Sequence, residues 1–235
     1  MNKKLRVDVW SDVVCPWCYI GKRRLEGALA RFAHKADVEV IWRAFELDPS
    51  APRVAAGDHA ERIARKYGRS RGQIEEMTRN ITGLAAAEGI AFDLEHSRSG
   101  NTFDAHRVIH LASERGLQDA VKERFLRGYM AEREPIGEPE VLVRLAADAG
   151  LDAEETRAVL ASDRYAREVR EEEETARRLG ISGVPFFVIG GKYGVSGAQP
   201  ADTLLGALEE AWRKEPDAVD VARAEGAACG PDGCT

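Results

Sequence analysis

No stretch of this chain is apolar enough for long enough to resemble a membrane span, so no membrane partner is expected. The N-terminus, M-N-K-K-L-R-V-D-V-W-S-D, has no uninterrupted apolar core of the kind a secretory signal needs, because Arg6 and Asp8 break it. The expected address is therefore the cytoplasm, where thiols are kept reduced and a close cysteine pair is catalytic more often than structural. No basic block appears and the net charge is −6, which argues against a general nucleic-acid binder. Internal repeats and low-complexity segments are absent as well. Cysteine is scarce, four residues in two close pairs, Cys15/Cys18 and Cys229/Cys234. What is present is ordinary for a globular protein: 44% hydrophobic and 31% charged residues over 235 positions. That length buries a sizeable core, as one large domain or as a small domain with an insertion.

The rest of the chain is organised around S-D-V-V-C-P-W-C-Y-I-G, Ser11 to Gly21. An alternating apolar run (Leu5, Val7, Val9) precedes it and a segment of helical period follows. Two-residue spacing lets the sulfurs of Cys15 and Cys18 meet within the first helical turn, as a small and reducible ring. A helix N-terminus offers unpaired N–H groups and the positive end of the dipole, which predicts a lowered pKa for Cys15. Pro16 suits the first helical turn, where its missing N–H costs nothing. Cys15 is the expected nucleophile and Cys18 the resolving thiol. A zinc site is the bland alternative, with Cys229 and Cys234 as further ligands, but Pro-Trp inside the pair and the preceding strand favour redox chemistry. No metal and no cofactor are expected.

Residues 4–12 read as a strand, 16–34 as a helix and 38–47 as a second, β-branched and aromatic strand, together a βαβ unit. Helical periodicity then dominates, with segments near 58–67, 70–88, 102–115, 118–131, 138–149, 152–160 and 162–179. Ser70 with Gln73 three residues on is a capping-box signal. The run Glu171-Glu172-Glu173-Glu174 is expected on a solvated helix face. Sheet character returns at 185–189 and 192–196 across Gly190-Gly191, a hairpin, and a helix over 201–213 follows. The expected fold class is α/β: a thioredoxin fold split by a large all-helical insertion. Its expected divisions are 1–48 (βαβ half), 49–179 (helical insertion), 180–213 (ββα half) and 214–235 (tail).

Val184-Pro185 opens the returning strand; in a thioredoxin fold this place carries a cis-proline facing the cysteines. There Val184 would offer its backbone to an extended substrate strand. Trp17 and Phe186 are candidates for an apolar substrate rim, or else core. His106 and His110 lie four apart on one helical face with no third ligand nearby; His106 reads as a structural histidine or as a lining of the substrate groove. In the tail, C-G-P-D-G-C is a turn sequence that brings Cys229 and Cys234 together as a tethered dithiol able to exchange electrons with Cys15/Cys18.

S-D-x-x-C-P-W-C-x-x-G, N-T-F-D-A-H-R (101–107), G-V-P-F-F (183–187) and Gly197-Ala198-Gln199, in that order, resemble the DsbA family of thiol–disulfide oxidoreductases, in particular its FrnE-like branch. The resemblance covers residues 4–213 and implies a Cys15/Cys18 active site and a cis-proline at Pro185; the second pair, Cys229/Cys234, resembles one carried by some FrnE-like proteins. Implied partners are disulfide- or thiol-containing client proteins, with glutathione or another thiol reductant. Two further activities are kept open. One is a glutathione-dependent isomerase or transferase of the 2-hydroxychromene-2-carboxylate isomerase or kappa class, which typically has serine where Cys15 stands. The other is a redox-linked chaperone.

Overall fold

A computed structural model describes residues 4–55, 57–214, 229–230 and 233–234. Strand β1 (Leu5–Ser11) is followed by α1 (Pro16–Arg31) and β2 (Val38–Ala44), which lies parallel to β1 from Leu5↔Val38 to Ser11↔Ala44. On its other edge β1 pairs antiparallel with β3 (Phe186–Ile189), and β3 pairs with β4 (Tyr193–Ser196), giving the order β2-β1-β3-β4. As an inner strand β1 is buried along its length except at Arg6. Helix α9 (Ala201–Arg213) packs on α1, and Leu5 and Ala211 meet beside Gly190 of the hairpin turn.

Among the described residues seven α-helices run between β2 and β3: α2 (His59–Tyr67), α3 (Arg71–Ala87), α4 (Phe103–Glu114), α5 (Gln118–Ala131), α6 (Pro139–Asp148), α7 (Ala153–Leu160) and α8 (Ala166–Arg178). Their punctuation is local chemistry. Asp58 accepts from the Glu61 amide at the start of α2, Asp152 does the same for Glu155 at α7, and Ser70 with Gln73 closes a complete capping box on α3. One core cluster joins the sheet (Val7, Val9), α1 (Ile20, Leu25), α5 (Phe125, Leu126) and α9 (Leu204, Leu208). Among the described residues no helix is long and apolar enough to cross a membrane. Two short strands of the tail, β5 (Cys229–Gly230) and β6 (Gly233–Cys234), pair antiparallel with Cys229 opposite Cys234. The residues between α9 and β5 lie outside those described.

Three boundaries differ from the sequence expectation. Strand β2 ends at Ala44, short of Leu47, because the next amides leave the ladder for carboxylates: Glu46 N–H donates to Glu173 Oε1 (3.3 Å) and Leu47 N–H to Asp12 Oδ2 (2.8 Å). Helix α1 stops at Arg31, where Phe32 turns to extended backbone. Helix α8 begins at Ala166, after Tyr165 adopts a left-handed φ of 64°.

The acidic run on α8 is the larger correction. Glu171 and Glu174 face solvent as expected, but Glu172 and Glu173 are 9% and 8% exposed. Glu172 accepts from Arg43 (2.8 Å), from the Ala44 amide (2.7 Å) and pairs with His110 (3.2 Å), while Glu173 accepts from Arg170 (2.7 Å) and the Glu46 amide. A helix facing the end of a sheet finds free amides and an arginine there, and carboxylates satisfy them.

Candidate active site

The sulfurs sit where strand turns to helix. Cys15 is the N-cap of α1 in extended conformation, Pro16 occupies the first helical position, and the Cys18 amide donates to the Cys15 carbonyl (3.1 Å). Facing them, the Val184–Pro185 peptide is cis, and Cys15 Sγ donates to the Val184 carbonyl at 3.6 Å. Gly21 explains how the two halves approach so closely: a Cβ there would stand 2.8 Å from the Pro185 ring. Both thiols are free and 0% exposed.

That burial reverses the expectation for Cys15. Loss of hydration, then the neighbouring Cys18, push its pKa well above the ordinary thiol value; the Cys18 amide lowers it and Asp12 raises it further. The helix N-terminus is present as expected, but its effect is outweighed while the sulfur is shielded from water.

Behind the sulfurs lies a polar layer. Asp12 is wholly buried and accepts from the Val13 amide (2.7 Å) and the Leu47 amide (2.8 Å). His106 Nε2 lies 3.4 Å from Asp12 Oδ1, without hydrogen-bond alignment. Burial raises the Asp12 pKa, but His106, the Leu47 N–H and Lys122 outweigh it and hold the carboxyl below its usual range. Glu46, buried beside this layer, accepts from Arg170 (2.6 Å) through Oε2 and leaves Oε1 without a partner; burial raises its pKa. Lys122 reaches in from α5, its Nζ donating to the Ser11 carbonyl at 3.1 Å.

The candidates read from sequence are thus placed as follows. Cys15, Cys18, Val184 and Pro185 converge at one point. His106, 1% exposed, stands beside Asp12, and His110 pairs with Glu172. Phe186 is buried in β3 opposite Ser196. Trp17 is mostly buried, its Nε1 lacks a hydrogen-bond partner, and its ring borders a cleft with Arg69, Met77 and Ile81. The side chains of Cys229 and Cys234 lie outside the described residues, but the backbone of β5 does not: a Cβ on Gly230 would stand 2.7 Å from the Ser182 carbonyl, two residues before Val184.

Sequence reasoning missed three features. Asp12 was visible only as a letter of the S-D-x-x-C motif. Lys122 carries no signal at all, since V-K-E-R-F reads as any amphipathic helix. The third is a cavity of about 330 Å³ beside the active-site loop, bordered by Val14, Pro16, Tyr67, Ile74, Met77 and Tyr129, with Arg62, Arg65 and Lys66 along one wall. His59, in the same wall, is held neutral: burial, then Arg62, lowers its pKa to about 4.

The fold is shared with known proteins. The chain is 47% identical to a probable DsbA oxidoreductase from Streptomyces coelicolor whose structure superposes with a TM-score of 0.86, covering 98% of each chain. The cytosolic disulfide reductase DsbM from Pseudomonas aeruginosa, solved with GSH, has the same fold at 17% identity and TM-score 0.60, covering 89% of this chain and all of that one. A 2-hydroxychromene-2-carboxylate isomerase shares it at 13% identity and TM-score 0.63, covering 88% and 96%. The sequence model of the DSBA-like thioredoxin domain matches residues 6–209, and by that match the chain belongs to the DsbA-like family of thiol–disulfide oxidoreductases.

Proposed function

We propose that the protein exchanges disulfides with client proteins through Cys15 and Cys18. The observation that carries this reading is the meeting of Cys15, at the N-terminus of α1, with the Val184 carbonyl next to Pro185. An incoming strand would engage the Val184 backbone in place of the Cys15 S–H. Cys15 then attacks as thiolate, the client disulfide opens to a mixed disulfide, and Cys18 displaces the client thiol. Because burial raises the Cys15 pKa, the reduced form gains little from thiolate stabilisation, which favours a reductase or isomerase over a strong oxidant. That direction suits the cytoplasmic address expected from the sequence, the address named for DsbM.

The cavity beside Pro16 supports clients with an apolar side chain next to the cysteine, and its wall of Arg62, Arg65 and Lys66 favours acidic ones. Low-molecular-weight thiols such as glutathione fit as reductants at the same sulfurs. The tail pair is a second redox centre in this proposal, consistent with the FrnE-like branch. Its support is the contact of Gly230 with Ser182, beside the client-binding backbone, and the register that sets Cys229 opposite Cys234 at a separation a disulfide can span. The test is dithiothreitol-driven reduction of insulin disulfides. Cys15→Ser is expected to abolish it, and unchanged activity would remove the reading. Truncation after residue 214 is expected to slow steady-state exchange while the first turnover persists; equal steady-state rates would reduce the tail to a bystander.

A further inference from the structure

The cavity beside Pro16 is larger than one client side chain can fill. An apolar cavity of about 150 Å³ holds benzene, so at that density the cavity of about 330 Å³ here holds a body of about 13 heavy atoms. A leucine or phenylalanine of a client strand would leave about half of it empty, and the walls would lack contacts there. Those walls are mainly apolar: Ile74, Met77 and Ile81 from α3, Leu94, and Val14 and Pro16 from the active-site loop. The hydroxyls of Tyr129 and Ser99 are already partnered, to each other at 2.9 Å, and Ser99 Oγ lies 3.3 Å from His59 Nδ1. What distinguishes the site is its charge.

Helix α2 supplies that charge. His59, Arg62, Ile63 and Lys66 fall at the spacing of a single helix face and line the cavity, and Arg65 lines it as well. Among the described residues this wall holds three cations and one carboxylate, Asp48, which lies 3.8 Å from Lys66 and accepts from Ser50 Oγ at 2.7 Å. Arg65 is exposed and has no ion pair among the described residues. Cations in the last helical turn favour the negative end of the helix dipole, which accounts for Arg65 and Lys66 but not for Arg62 before them. His59 senses the same surplus: burial, then Arg62, lowers its pKa to about 4. The chain as a whole carries −6, so the positive surplus here is local.

We propose that this cavity binds a small amphipathic monocarboxylate, aromatic or medium-chain aliphatic, with its apolar body among Ile74, Met77, Ile81 and Leu94 and its carboxylate against Arg62 and Arg65. Carboxylate and guanidinium match in charge and planarity, and partly apolar surroundings strengthen their attraction relative to open water. Binding forms no covalent bond and uses neither thiol, so the site stands apart from the disulfide reading.

Equilibrium dialysis of the full-length protein against 4-phenylbutanoate and its neutral isostere 4-phenylbutanamide tests shape and charge separately. The acid is expected to occupy one site per chain with a dissociation constant on the order of 100 μM, and the amide to bind about tenfold more weakly. Arg65→Ala should weaken the acid about threefold and leave the amide unchanged. Thr78→Trp, which adds an indole to the cavity wall, should abolish the binding of both. Thermal melting shows whether that variant folds; should it not, Arg65→Ala, at an exposed position, carries the test. Equal affinity for acid and amide, an unmoved acid affinity in Arg65→Ala, or acid binding that survives in folded Thr78→Trp overturns the proposal, as does the lack of saturable acid binding to the wild type. Disulfide exchange is judged apart from this, by insulin reduction with Cys15→Ser.

Discussion

The two sides of the sheet are held in different ways. Toward α9 and the hairpin the contacts are apolar, with Leu5, Ala211, Leu204 and Leu208 closing over the strands. Toward α8 the same strands carry charge: Asp8 pairs with Arg43 (2.6 Å), Arg43 with Glu172, and the Trp10 Nε1–H donates to the Glu172 carbonyl (3.0 Å). The first kind of contact is tolerant of shape and blind to pH. The second requires each group to have its partner in place, and it continues directly into the Asp12–His106 layer behind the sulfurs. The insertion is therefore joined to the thioredoxin half through groups that can tune the site as well as hold it.

That contrast breaks most visibly at Glu172. Glu172→Ala leaves the Ala44 amide without its acceptor and Arg43 with Asp8 alone, and should cost about 3 kcal/mol in denaturant-induced unfolding. On the same helix Glu174→Ala, which removes only an exposed pair with Arg177, should leave the melting temperature where it is. Equal effects from the two would mean that the buried network is no more than a solvated face. Next in size comes Gly21→Ala on the sulfur side, where the new methyl would meet Pro185. It should destabilise by about 2 kcal/mol and slow insulin reduction, because α1 and the Val184–Pro185 loop must move apart.

The smallest effect is a pH dependence at the cavity wall. His59 has a folded-state pKa near 4 against 6.5 unfolded, so between those values the unfolded chain binds the extra proton. Its contribution to stability is complete above pH 6.5 and is lost as pH falls toward 4. His59→Gln should flatten the slope of unfolding free energy against pH in that window; an unchanged slope would show that His59 is hydrated in the folded state. Asp12 acts lower down. Its depressed pKa stabilises the fold above the unfolded carboxylate value and fails as pH falls through the folded one.

Much of the architecture was readable in the residues because it depends on near neighbours. Alternation over Leu5–Val9, Pro16 after Cys15, the Ser70/Gln73 box and the turn at Gly190-Gly191 each follow from contacts a few positions apart, and each element formed close to its expected place. The C-P-W-C motif at a strand–helix junction belongs to the same class, and with Val184-Pro185 it pointed to one site. What misled was the assumption that a charge run is solvated and that a helix N-terminus must acidify its cysteine. Whether Glu172 meets water or Arg43, whether Cys15 is hydrated or covered, and whether Lys122 meets solvent or the Ser11 carbonyl depend on partners tens of residues away. By itself the sequence determined the order of elements and the placing of a close cysteine pair at a strand–helix junction, through local backbone preference and side-chain type. Only the tertiary structure decided which charges are buried and which face the thiols, because the energy of a charge is set by the dielectric and the counter-charges that folding brings to it.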